Sequence, residues 1–431
     1  MSKIFYSKVI GKVSHIRSSQ FTKVFIWDIL SKGVDFVLLP IYLKILSQEE
    51  YGFYTYLLYI ITTASGVIKL GMDTAVSKMF YETNTYNRGK MLFSANSVWF
   101  IFFIALCSLC MLTGVDKTLF SYLLNISEYQ YLSIRLFVFI FIFFNLIQTS
   151  INVFFVIDEK VVVYQKYNLL RILISNGIII GLLVFFAKGN KAIFRLTLEP
   201  LVYLFSFIPL IAIVLKKMIF KIDWMAIKHG LKIGLPMVGS LLVGIVFNIS
   251  DKYYLQQSQG YDILAIYNLA IFLTLPISLI FSTFQTVWFP KFVQVKSFKK
   301  RFEISNRFVI NLIFIFLSIL LILWIGLNAC IFFGIIPKNY LPLIFFFPVI
   351  FFSKMAENLV QVYNNFIVVW GKTNFNFLIS VIFSALVFLL NYMIIPVFGI
   401  WGAVTILLLM SLLRIIIFFL YVRSNIYGTI Y

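Results

Sequence analysis

Long apolar blocks alternate along this chain with short polar stretches, and at about 20 residues per bilayer crossing they predict twelve helices. These fall over 24–46, 51–72, 91–114, 131–157, 168–187, 192–215, 233–255, 262–289, 308–330, 341–367, 374–395 and 400–422. Strands fit poorly. Runs such as Ile101 to Leu112 and Phe137 to Leu146 are continuously apolar, whereas barrel strands would alternate at every second residue. Only helices satisfy their own backbone inside such runs. The pattern therefore predicts an all-α polytopic membrane protein.

Composition agrees. The 431 residues are 61% hydrophobic and 12% charged, with mean hydropathy +0.98, whereas a soluble domain carries about 25% charged residues. Residues 1–23 are basic and mixed, without a compact apolar stretch before a small-residue cleavage site, so the first span is expected to stay in the mature protein. Lys and Arg outnumber Asp and Glu by 36 to 16, and their placement is uneven. The N-terminus, the even-to-odd loops and Arg423 together hold 23, the opposite face four (Lys117, Lys188, Lys191 and Lys338), and the spans nine. By the positive-inside rule both termini are cytoplasmic. The net charge of +20 then reads as an orientation signal, favourable against anionic lipid headgroups, and no nucleic-acid partner is expected.

Cys107, Cys110 and Cys330 lie within spans. The C-x-x-C of the first two sits in an unbroken apolar helix without a nearby histidine, and His15 and His229 are far apart. This reads as packing, with no metal site.

The basic segment 216–232 (KKMIFKIDWMAIKHGLK) separates six spans from six. Its apolar members predict a short helix on the membrane surface, and the boundary falls between lobes 1–220 and 221–431. A faint repeat supports duplication. Asn152 to Asn168 and Asn358 to Asn374 share Asn-[Val/Leu] at the start and Lys-x-Asn at the end, at one common offset. The first and seventh helices end near Lys44 and Lys252, each followed by a short loop and a small-aromatic-Tyr or small-Ile-Tyr step, Gly52-Phe53-Tyr54 and Ala265-Ile266-Tyr267. Paired repeats with a site between them are a common transporter build.

Three stretches carry a family resemblance. In 234–292, Leu-Pro stands at a helix start, Ser250-Asp251-Lys252 at its outer end, Ala265-x-Tyr267 opens the next helix and Trp288-x-Pro290 closes it; LPIYLKILSQEEYGFY (39–54) and LNYMIIPVFGIWGAV (390–404) agree. This order resembles the Wzx-type polysaccharide-unit flippases of the multidrug/oligosaccharidyl-lipid/polysaccharide (MOP) exporter superfamily. The resemblance covers the first, seventh, eighth, eleventh and twelfth spans. It implies a V-shaped pair of six-helix lobes in the bacterial inner membrane. It also implies a flippase that moves an undecaprenyl-diphosphate-linked oligosaccharide from the cytoplasmic to the periplasmic leaflet by alternating access. Membrane lipids, a polysaccharide polymerase and a chain-length regulator are the further partners implied. Lys44 and Lys252 stand where the family often has Arg, which keeps charge but loses the bidentate fork for phosphate oxygens. The motifs are specific to the family and not to a sugar.

The nine in-span cations are Lys32, Lys44, Lys69, Arg135, Arg171, Arg195, Lys252, Lys354 and Arg414. A cation in hydrocarbon costs roughly 2.5–3.5 kcal/mol, so the deep ones should face a cavity or a partner. Asp28, Lys32 and Asp35 share one face of the first helix, either lining a cavity or neutralising one another. Lys44 and Lys252 lie near the outer helix ends, where snorkelling and joint capture of a diphosphate both remain open, with Asp251 as neutraliser or proton carrier. Lys354 and Glu357 precede Asn358, Gln361, Asn364 and Asn365 at helical spacing, suited to sugar hydroxyls or to interhelical bonding. Glu199 precedes the helix-breaking Pro200. The substrate-binding set is thus Lys32, Lys44, Lys252, Lys354, Asn358 and Gln361, and the ion-coupling set Asp28, Asp35, Glu199, Asp251 and Glu357. Arg135, Arg171 and Arg195 read as snorkelling; Lys69 and Asp73 should pair. Pro40, Pro276 and Pro348 interrupt spans, and Gly177-x-x-x-Gly181 and Gly230-x-x-x-Gly234 read as close-packing or turn positions.

No G-x-x-x-x-G-K-[ST] occurs, so no ATP hydrolysis and no cofactor are expected; proton or sodium exchange is the expected energy source. Two alternatives compete. A drug or metabolite exporter of the same superfamily would favour carboxylates over these lysines. A glycan polymerase would need a catalytic surface, yet the longest outer loop, 115–130, offers Asp116 and Glu128 without a compact acid–base pair.

Overall fold

The computed structural model describes residues 20–82 and 85–427; the N-terminal His15 and the basic residues before it lie outside them. Among the described residues every regular element is helical. In chain order the α-helices are α1 Gln20–Ile45, α2 Gln48–Ile68, α3 Met72–Glu82, α4 Thr85–Thr113, α5 Val115–Leu124, α6 Glu128–Ile157, α7 Val161–Phe186, α8 Lys191–Lys217, α9 Trp224–Phe272, α10 Leu275–Gln294, α11 Phe298–Phe332, α12 Leu343–Val369 and α13 Thr373–Tyr427, with a short 3-10 turn at Lys338–Tyr340.

Among the described residues eight helical stretches are long and apolar enough to cross a membrane, nine if α2 and α3, bent by 50° at their junction, make one crossing. Two of these, Trp224–Gln285 and Asn374–Tyr427, run for 62 and 54 residues, more than two crossings need. Each contains a glycine off the helical path, Gly260 (φ 79°) and Gly399 (φ 56°), at the gap between two of the spans read from sequence. Counted as two crossings each, they bring the described segments to eleven; α1, with Lys23, Asp28, Lys32, Asp35 and Lys44, is too charged to join that set and corresponds to the first of the twelve spans expected. The kinks support each other: Gln259 Oε1 accepts from Ile400 N at 2.9 Å, and a Cβ on Gly399 would lie 1.9 Å from Gln259 Nε2. Pro276 opens α10 after a break at Leu273–Thr274, so the eighth span is interrupted there.

Contacts divide the chain into two units. The first holds the described residues up to Ile45 and Ile60–Gly239; the second holds Leu46–Tyr59 and the described residues from Ser240. This differs from the sequence boundary at 220/221 in two places. Residues 221–239 stay with the first unit because Gly71 and Gly234 meet backbone to backbone. A Cβ on Gly71 (φ 68°) would lie 2.4 Å from the Gly234 carbonyl oxygen, and one on Gly234 would lie 2.3 Å from that of Leu70. Leu46–Tyr59 joins the second because Gly52 seats on the Tyr261 carbonyl, 2.0 Å from where its Cβ would stand. Asn268 Nδ2 also donates to Thr55 Oγ1 at 3.0 Å.

In the first unit α1 packs along α7, and α6 and α7 along α8, around Tyr42, Ile179 and Leu183 with Leu38, Phe194 and Val202. Gly230 meets Met72. Nothing lies within 4 Å of a Cβ at Gly177 or Gly181, so that pair is not a close-packing contact in the unit. The connector departs from the expected surface helix. Met218–Asp223 is non-helical, held to α4 by Ile219 N donating to the Gly89 carbonyl (3.1 Å) and Asp223 N to Ser94 Oγ (2.7 Å), and Trp224 begins α9 directly. In the second unit α12 packs along α13 and against α10 and α11.

Candidate functional site

Each unit holds buried ionisable groups inside its membrane helices. In the second unit they come from α9, α12 and the first half of α2. Lys252 is only 3% exposed. Its Nζ lies 3.3 and 3.4 Å from the two oxygens of Asp251, donates to the Asn248 carbonyl at 2.7 Å, and sits 4.6 Å from the ring centre of Tyr59. Tyr267 donates its hydroxyl to Asp251 Oδ2. Asp251 thus forms an ion pair with Lys252. Taking either charge out of water costs several kcal/mol, which an ion pair with further hydrogen bonds can offset.

On α12, Lys354 Nζ pairs with Glu357 Oε2 at 2.8 Å; their side chains are 18% and 24% exposed. Glu357 Oε1 is buried without a hydrogen-bond partner. Lys354 also feels the charge of Asp251 and the Tyr59 ring hydroxyl, and Glu357 that of Arg414. The structure thus brings Asp251, Lys252, Lys354 and Glu357 into one electrostatic cluster, with equal numbers of lysines and carboxylates. Asn358 donates to Ser278 Oγ (3.3 Å) and to the Lys354 carbonyl (2.8 Å). Gln361, exposed, accepts from Asn364 at 3.3 Å, and Gln285 donates to Asn365 Oδ1 at 2.7 Å.

In the first unit the buried pair is Arg195–Glu199, 3.0 Å apart. The Arg195 guanidinium lies 3.7 Å from the centre of the Tyr42 ring, and Tyr42 donates to Asn176 Oδ1 at 2.6 Å. Arg171 is buried, donates twice to Asn168 Oδ1 (3.2 and 3.0 Å) and faces the rings of Tyr203 and Phe207. Asp35 is exposed on α1 and interacts electrostatically with Glu199, Arg195 and Arg171. Lys32 and Lys44 are also exposed on α1, and Asp28 lies on the same helix; Lys44 closes its last turn.

The arginines expected to snorkel do otherwise. Arg195 and Arg171 are buried as described, and Arg135 grips Asp116 with two bonds of 2.7 Å, joined by the Tyr131 hydroxyl at 2.9 Å. Carboxylate, carbonyl and aromatic partners within the unit replace lipid headgroups. Glu128 pairs with Lys117, so both acids of the 115–130 segment are engaged in ion pairs. Lys69 pairs with Asp73 at 3.0 Å, as the spacing requires, and also meets Ser150 and the Trp99 ring. Sequence reasoning missed Tyr59 and Tyr267 as partners of this cluster. Tyr267 was visible in the Ala-x-Tyr step, but its bond to Asp251 crosses the Gly260 kink and leaves no periodic trace.

The model of the polysaccharide biosynthesis protein family matches residues 22–296, more than half of the chain. The chain belongs to that family. Among solved structures it is similar to the lipid II flippase MurJ in an inward closed conformation, with TM-score 0.71 and 15% identity over 94% of this chain and 87% of that one. It is also similar to an inward-facing multidrug resistance MATE family transporter of the MOP superfamily (TM-score 0.58, 13% identity, 94% and 95% covered). A MOP superfamily transporter from Pyrococcus furiosus, described by a binding pocket of reversed polarity, matches at TM-score 0.56 with 13% identity, 94% and 95% covered. No curated protein sequence matches significantly. The fold is that of MOP superfamily transporters, an all-α multi-pass membrane architecture.

Proposed function

We propose that the protein is a Wzx-type flippase. It carries a polyprenyl-diphosphate-linked oligosaccharide unit from the cytoplasmic to the periplasmic leaflet of the bacterial inner membrane by alternating access, with both termini cytoplasmic. The glycan units of O-antigen are one such cargo. The observation that carries this reading is the Asp251–Lys252 and Lys354–Glu357 cluster, where each lysine within the membrane helices is paired with a carboxylate and the more exposed pair, Lys354–Glu357, is open to displacement by a stronger anion.

A diphosphate offers more negative charge than one carboxylate and accepts charge-assisted bonds from ammonium groups. Lys354, the more exposed of the two, exchanges Glu357 for the diphosphate, while Lys252 stays in place. Glu357, whose second carboxylate oxygen is already unpartnered, is an ion-coupling group in this reading. Lys32 and Lys44, exposed on α1, are substrate-binding groups of the first unit, Asn358 and Gln361 of the second bond sugar hydroxyls, and Asp28, Asp35, Glu199 and Asp251 are further ion-coupling groups. The polyprenyl tail stays in lipid, and the glycan avoids the desolvation that blocks unassisted crossing.

The test is deletion of the gene with recovery of undecaprenyl-linked glycan. Complete units trapped on the cytoplasmic leaflet are expected. Single units exported but unpolymerised would identify a polymerase, and altered drug tolerance with normal glycan export would identify a drug exporter.

A further inference from the structure

A cavity of about 240 Å³ opens into the first unit between the start of α4, the last third of α6 and the end of α8, apart from the charged clusters. Phe93, Phe100, Ile147, Ile151, Ile211 and Leu215 line it, together with Phe220 of the connector, whose ring lies 5.1 Å from that of Phe93. Its polar members already have partners. Trp99 Nε1 donates to Asn96 Oδ1 at 2.9 Å, Ser97 Oγ to the Phe93 carbonyl at 2.8 Å, and Ser150 is bonded to Lys69. A hollow with an apolar wall and satisfied polar groups takes hydrocarbon rather than water or sugar. Its size, below the roughly 300–1,000 Å³ of a drug-sized site, suits a length of one lipid chain.

Cationic residues crowd the same end of the unit. Lys216 and Lys217 follow Leu215 directly, Lys221 follows Phe220, and Lys90 stands one turn before Phe93. Asp158 is shared by Lys160 (2.8 Å) and Lys217 (3.7 Å), and Asp223 is occupied capping α9 through Met225 N and Ala226 N. Lys216 and Lys221 make no ion pair among the described residues. Phe220, Ile222, Trp224 and Met225 are exposed beside them, the mix of aromatic and apolar side chains that seats at a membrane interface.

The geometry points to a bound anionic phospholipid, with one acyl chain in this cavity and its phosphate against Lys216, Lys217 and Lys221. Basic pockets between membrane helices bind such headgroups. This lipid is a resident of the first unit and does not depend on what the charged clusters carry.

Native mass spectrometry of the full chain, released from detergent with added phosphatidylglycerol or phosphatidylethanolamine of equal chain length, tests it. Phosphatidylglycerol should be retained in preference. Its affinity should fall at least about tenfold in Lys216→Gln/Lys217→Gln/Lys221→Gln, and also in Ile151→Trp, which fills the cavity. Ser97→Leu serves where Ile151→Trp does not fold, and protection of the melting temperature by phosphatidylglycerol gives a second readout. Equal retention of the two lipids, retention unchanged by the lysine or by the cavity-filling substitutions, or preference for undecaprenyl phosphate would each overturn the assignment.

Discussion

Asp251 takes the Tyr267 hydroxyl and the Lys252 ammonium on one buried carboxylate, so its loss should be felt more than that of either neighbouring contact. Asp251→Asn leaves Lys252 buried without its counter-charge, a change of about 3–5 kcal/mol, whereas Tyr267→Phe removes one bond to a charged group, about 1.5–3 kcal/mol. Thermal unfolding in detergent should place the Asp251→Asn midpoint below that of Tyr267→Phe; the reverse order would place the neutralising role elsewhere. At Lys354 and Glu357 the contrast is functional. The exchanged pair Lys354→Glu/Glu357→Lys keeps an ion pair but moves the cation by one turn, so it should insert at normal level and lose transport by about tenfold or more, tenfold being about 1.4 kcal/mol. Wild-type transport by the exchanged pair would remove Lys354 from the substrate path. Pairs of this kind were legible in the sequence, because residues three or four apart share a helix face; Lys69–Asp73 and Lys354–Glu357 both formed. Arg195 and Glu199 have the same spacing, yet the interface position of Arg195 outweighed it. Arg135 finds Asp116 and Tyr42 finds Asn176 only through tertiary packing.

Helix positions were more legible than helix contacts, since length and apolarity act locally while packing does not. Gly260 and Gly399 fall where the apolar blocks pause, and both are kinks. The connector differs because Gly89, Ser94 and Phe93 of α4 bind its backbone and Phe220, an arrangement that composition cannot reveal. The two small-residue motifs separate for a similar reason. Gly234 faces Gly71, where a positive φ and a carbonyl oxygen 2.4 Å from any Cβ both require glycine. Gly177 faces open space. Gly71→Ala should therefore lower the melting temperature or abolish accumulation in the membrane, the left-handed backbone alone costing about 1–2 kcal/mol. Gly177→Ala should be neutral or raise stability by up to about 1 kcal/mol. Equal effects of the two substitutions would contradict the packing described.

For the whole molecule, the fold of a MOP superfamily transporter and membership of the polysaccharide biosynthesis family meet two units that each keep ionisable groups inside their helices. The proposed function joins these through the exchange of a carboxylate for a diphosphate at Lys354. The most direct measurement is movement of a purified polyprenyl-diphosphate-linked oligosaccharide across vesicles containing this protein, read by access of an added glycan-cleaving enzyme. Wild-type protein should expose cargo from the inner leaflet, with Lys354→Gln slower by about tenfold or more at equal reconstitution. No movement by the wild type under either a proton or a sodium gradient, or equal movement by Lys354→Gln, would contradict the account.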